Sequence, residues 1–218
     1  MADKWNWRRD IIPIGLIIVA ICLAIYYYPR LPATIPVHYN VEGIPDRYAG
    51  KLQGMLIFLV LLPALYLLLT FVPFVDPFKR RALRRYKVFL VIRDICLVFF
   101  FYVYVLTLIS AAAGRLHTTA IQVGIGLLFV LLGNYLPKLP RNFFFGIRCP
   151  WTIASEVVWR RTHILGGWLF VIGGLLLILL SLLKVPFTIL LPMILGPIIL
   201  VSAIIYPLLL YRKLEEQK

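Results

Sequence analysis

Six stretches of almost uninterrupted apolar residues, each about long enough to cross a bilayer, leave this 218-residue chain few ways to fold. They run over 11–28, 52–74, 88–112, 119–136, 166–183 and 188–211. A helix satisfies its own backbone polar groups, so runs of this length are stable in hydrocarbon only as spanning helices. Charged residues make up 15% of the chain, against about 25% in ordinary globular proteins. The apolar surplus must therefore face lipid, and the fold class is all-α: a polytopic transmembrane helical bundle.

The gaps between the runs carry the orientation signal. Segments 1–10, 75–87, 137–165 and 212–218 hold 17 of the 23 Lys and Arg residues. Segments 29–51, 113–118 and 184–187 hold 5, and Arg93 lies inside a run. Basic loops stay in the cytoplasm, which places both termini on the cytoplasmic side of a cell membrane. The basic stretch Lys4 to Arg9 and the apolar run Ile11 to Tyr28 read as a retained first span, because no small-residue cleavage pattern follows. A net charge of +14 raises nucleic acid as a partner, but its place between spans points to anionic headgroups instead. Cys22, Cys96 and Cys149 match no zinc or disulfide spacing.

Within the spans, Arg93 and Asp94 form a polar pair with two readings. It is either an interfacial anchor whose arginine reaches the headgroups, or a buried functional pair that needs partners from other helices. Pro63, Pro192, Pro197 and Pro207 remove backbone donors, and the last three bend the final span. Gly124, Gly126, Gly133, Gly166, Gly167, Gly173 and Gly174 permit close helix contact, with Gly167 and Gly174 near one face.

Two loops are richer than connectors need to be. The external loop 29–51 carries Pro32, Pro36 and Pro45 with Gly43 and Gly50, a vocabulary for a compact structure. His38, Asn40, Glu42, Asp46 and Arg47 form its polar face, a candidate for ligand sensing. His38 and Glu42 are metal-ligand types, yet no third ligand stands nearby, and no metal is assigned. In the cytoplasmic loop 137–165, Phe143 to Phe145 with Arg141 and Arg148 have the mixture of an interfacial anchor. A short helix is expected from about Thr152 to His163, capped by Thr152 and supported by Glu156 and Arg160 four residues apart. Lying at the interface, it exposes Trp159 and the pair Arg160 and Arg161, a docking surface with Arg141, Asn142, Arg148, Trp151, Glu156 and His163. The chain has no Gly-rich phosphate loop, serine elbow or His-Glu-x-x-His helix, so neither enzymatic activity nor a cofactor is indicated.

The same two loops resemble the bacterial SdpI-like family of membrane immunity and signalling proteins. Leu31, Pro32, Ile35, Pro36, His38, Tyr39, Asn40, Gly43, Pro45, Asp46 and Lys51 match an amino-terminal module found with that family. The more distinctive match runs from Gly133 and Asn134 through Pro137, Lys138 and the block Arg141 to Arg148, then Pro150, Trp151 and Thr152. It continues through Ser155, Glu156, Trp159, Thr162, His163, Gly166 and Gly167. The resemblance divides the chain into a two-span module, 1–87, and a four-span SdpI-like module, 88–218. It implies protection against a secreted toxic peptide outside and, in some members, sequestration of a transcriptional repressor inside, with no direct contact to nucleic acid. The competing expectations are a small transporter or flippase working through Arg93 and Asp94, and an intramembrane enzyme with a catalytic set between spans.

Overall fold

The computed structural model describes residues 7–40, 45–114 and 118–217. In chain order the elements are α1 (Ile11–Tyr27), β1 (Thr34–Tyr39), β2 (Pro45–Gly50), α2 (Lys51–Val75), α3 (Lys79–Arg84), α4 (Tyr86–Ala113), α5 (Thr118–Tyr135), α6 (Pro150–Ala154), α7 (Glu156–Leu182), α8 (Phe187–Ile199) and α9 (Tyr206–Glu215). Six helical segments are long and apolar enough to cross a membrane, the last formed by α8 and α9 together. Six crossings return the chain to the face on which α1 begins, called the terminal face below. Large apolar side chains point outward along the helices, among them Ile25 at 70% and Met193 at 65% exposure, as a lipid solvent requires.

Helices α1, α2 and α4 pack on one another, while α5 bridges α4 to α7, and α7 packs on α8. In the first group Leu62, Leu97, Tyr104 and Leu108 close over Ala20 and Ala24, whose small side chains let the tyrosine ring approach α1. Between α5 and α7 the glycines act as the spacing suggests. A Cβ on Gly133 would lie 2.8 Å from the Gly167 carbonyl oxygen, and one on Gly126 would lie 2.8 Å from that of Gly174. Each pair is seven residues apart on its own helix, so the antiparallel backbones touch at two successive levels.

The final span holds Pro192 and Pro197 within α8, and Pro207 sits at the first turn of α9. Between them Leu200–Ile205 forms a π-helical stretch, with the Tyr206 N–H reaching five residues back to the Val201 carbonyl. α4 stops at Gly114, in the left-handed conformation (φ 68°), a common helix terminator.

One expected element changes. The helix anticipated over 152–163 is not a separate interfacial piece: α6 ends at Ala154, Ser155 is extended, and α7 runs unbroken from Glu156 into the membrane. The Ser155 hydroxyl accepts from the Val158 amide at 3.4 Å, so Ser155, rather than Thr152, is the N-cap of the long helix.

Candidate functional site

On the terminal face the chain between α5 and α7 is held by side chains that bond to backbone. Asn142 is fully buried. Its carbonyl oxygen accepts from the Phe144 and Phe145 amides at 2.9 and 2.7 Å, and its amide group donates to the Pro140 and Phe145 carbonyls at 2.9 and 3.2 Å. A side chain with two donors and two acceptor positions is thereby saturated, and the Phe143 to Phe145 turn is fixed around it.

His163 fastens the same loop to α7. Nδ1–H donates to the Trp159 carbonyl at 2.8 Å, and Nε2 accepts from the Ile147 amide at 3.0 Å. Both assignments are forced, since a carbonyl only accepts and an amide only donates, so the ring is a neutral tautomer with neither nitrogen free. Trp159 stacks on this ring at 4.0 Å and donates its indole N–H to the Leu139 carbonyl at 3.0 Å. Gly146 adopts φ 94°, and a Cβ there would collide with His163 Nε2. Thr152 completes the loop: Oγ1 accepts from the Cys149 amide at 2.9 Å and donates to the Ile147 or Cys149 carbonyl at 3.0 Å.

Acidic residues join this loop to the connection between α2 and α4. Asp76, 3% exposed, accepts from the Phe78 amide through Oδ1 at 2.6 Å and from the Phe143 amide through Oδ2 at 2.8 Å. Glu156 pairs with Arg81 and, at 3.5 Å, with Arg141. The expected support from Arg160 is thus replaced by cross-element pairs. The Arg141 guanidinium also lies 4.8 Å from the Phe78 ring and donates to the Ile153 and Ala154 carbonyls at 3.2 and 3.3 Å.

Beside this assembly Arg93 is completely buried. Nη1 donates to Asp10 at 2.8 Å and to the Thr70 hydroxyl at 3.1 Å; Nη2 donates to the Arg9 carbonyl at 2.7 Å, and Nε to Asp94 at 2.9 Å. Arg93 is therefore held among partners at the start of α1 and on α2 as well as its neighbour Asp94. Four of its five N–H donors are used, tying the start of α1 and the end of α2 to α4. Two carboxylates and a hydroxyl supply the compensation that a buried guanidinium demands.

Arg141, Asn142, Glu156, Trp159 and His163 come together, but Asn142 is buried in the loop, and Trp159 and His163 are buried on α7, so none of these three belongs to an exposed docking surface. The two on α7 face inward because the helix starts early and packs this side against the loop. Arg148 bonds to the Phe143 carbonyl at 2.7 Å, Trp151 is half-buried on α6, and Arg160 and Arg161 remain exposed. Asp10, Thr70, Asp76 and Arg81 were not anticipated. The usable signal was the presence of acids beside spans on an otherwise basic face.

On the opposite face β1 and β2 form an antiparallel hairpin with Thr34 opposite Gly50 and His38 opposite Arg47. Ile35, 1% exposed, plugs onto Gly54 of α2. His38 Nδ1 lies 2.6 Å from Asp46, Asn40 follows β1, and Arg47 is exposed; Glu42 lies outside the described residues. The compact loop expected there is thus a hairpin seated on a spanning helix.

A buried cationic clamp, a tightly bonded loop on one face and a seated hairpin on the other define a multi-pass membrane protein whose loops are structured on both sides. The SdpI/YfhL protein family model matches residues 138–211, which include the clamped loop, and a domain of unknown function, DUF1648, matches residues 15–63, which include the hairpin. The chain is 24% identical over 208 residues to the Immunity protein SdpI of Bacillus subtilis (strain 168), covering 95% of this chain and 98% of that protein. It is 43% identical over 51 residues to the Uncharacterized membrane protein YbgB of the same organism, covering 23% of this chain and 52% of that one. No solved structure matches it. The chain is a multi-pass membrane protein similar to the SdpI family over its second half and to one immunity protein over nearly its whole length.

Proposed function

We propose that this protein is a non-enzymatic immunity protein that protects a bacterial cell against a secreted antimicrobial peptide. The observation that carries the reading is the nearly end-to-end similarity to an immunity protein, over 95% of this chain. The terminal face is the cytoplasmic one, because it collects 17 basic residues against 5 on the other. The hairpin then faces the peptide. His38, Asn40, Glu42, Asp46 and Arg47 supply its polar contacts.

Helices α2 and α4 run from the hairpin side to the Arg93 clamp, giving a displaced hairpin a route to the cytoplasmic loop. A peptide shifts that loop only if it binds two arrangements with different affinity. On the inside, Phe143 and Phe144, each 41% exposed, and Arg148, Arg160 and Arg161 form a surface suited to docking a transcriptional repressor. Transport through Arg93 and Asp94 has less support, because most of the arginine's donors are already committed.

The test is deletion of the gene followed by challenge with culture supernatant from the parent strain. The expected result is killing of the deletion strain and rescue by the intact gene. Equal survival of both strains removes the immunity reading. Repressor docking is read separately, as loss of membrane-associated repressor in an Arg160→Glu, Arg161→Glu variant that still protects. Flux into reconstituted vesicles that falls with Asp94→Asn would instead favour transport.

A further inference from the structure

A cavity of about 210 Å³ lies between the hairpin and the last turn of α4, walled by Pro32, Pro36, Pro45, Tyr39 and Tyr48 and floored by Ser110. Three features make it more than a packing defect. The first is Ser110 itself, 2% exposed, whose hydroxyl has no hydrogen-bond partner among the described residues. Hydroxyls on spanning helices ordinarily bond back one turn. Thr107, Ser181 and Ser202 do so here, to the Val103, Leu177 and Ile198 carbonyls at 2.8, 2.5 and 2.6 Å, whereas the hydroxyls of Thr162 on α7 and of Ser110 do not. Ser110 instead lines the cavity with its bonding capacity unspent, which is costly for a buried polar group.

The second feature is the wall. Proline and tyrosine rings offer flat apolar faces of the kind that receive another ring, and none of the described lining residues is charged. Burial and the nearby Tyr48 push the Tyr39 phenol above its ordinary value, so this wall stays neutral. The third is size and access. A cavity of about 150 Å³ accepts benzene, so the larger volume here admits a fused or substituted ring, and Tyr48 at the rim is 60% exposed.

We propose that this cavity binds one aromatic side chain of a peptide arriving from outside, a Trp or Tyr whose N–H or O–H donates to Ser110 Oγ. The peptide as source rests on the immunity reading; the ring site does not. The probe is therefore indole, titrated against the full-length protein in lipid nanodiscs by saturation-transfer NMR, with 1-methylindole as a ring lacking the donor. Indole is expected to bind about fivefold to tenfold more tightly than 1-methylindole, a preference that disappears in Ser110→Ala. Ser110→Leu, which fills the floor, is expected to abolish binding of both, and Tyr48→Ala at the exposed rim to weaken both. Equal affinity for the two probes in the wild type, or undiminished binding to Ser110→Leu, overturns the proposal. Indole binding without a survival phenotype supports the ring site and removes immunity; protection without indole binding does the reverse.

Discussion

Single residues on the terminal face fall into those that hold a loop and those that hold a charge. Gly146 belongs to the first kind, since its φ of 94° and its contact with His163 both exclude a side chain. Gly146→Ala is expected to cost at least about 1–3 kcal/mol and to release the 139–147 loop selectively, seen as faster amide exchange there than in α5. Asp10 belongs to the second. Asp10→Ala leaves the buried Arg93 guanidinium short of a carboxylate and is expected to cost about 3–5 kcal/mol in detergent unfolding, with Asp10→Asn losing less because it keeps an acceptor. A loss equal to that of an exposed surface substitution would contradict the clamp. Neither partnership was legible beforehand. Asp10 and Arg93 are 83 positions apart, and sequence pattern carries no information on which distant polar groups meet. What could be read was that Arg93 and Asp94, if buried, would need partners from other helices.

At the scale of elements, hydropathy located the spans because the bilayer imposes one length on all of them. It missed the junction before α7, where an extended Ser155 ends one short helix and starts the next within a single residue. Ser155→Ala is expected to cost about 0.5–1 kcal/mol, the low end for an N-cap, given its long 3.4 Å bond. The prolines and glycines of 29–51 point to a compact loop but not to strands, since Pro36 and Pro45 argue against a ladder. Each strand is an edge of a two-stranded sheet, so a missing N–H is tolerated there. The glycine pairing of α5 with α7 was readable in outline from the seven-residue spacing. Its strength is tested by Gly133→Leu, which must push the helices apart at the Gly167 carbonyl and lower the melting temperature of the purified protein. An unchanged melting temperature would place those backbones farther apart.

For the whole molecule, sidedness decides what each loop can meet. With Cys22, Cys96 and Cys149 replaced by Ala, a membrane-impermeant maleimide is expected to label Tyr48→Cys in intact cells and Arg80→Cys only after permeabilisation. The opposite pattern would turn the hairpin inward and remove its access to a secreted peptide. The immunity reading joins the two faces into one device: a hairpin on α2, cooperating with α4, outside, and an Arg93 clamp and bonded loop on the same helices inside. Killing curves with parent-strain supernatant, run on the deletion strain and on the same strain carrying the intact gene, separate this reading from its rivals. Death of the deletion strain with survival of the complemented one is the expected result; equal survival of the two contradicts it.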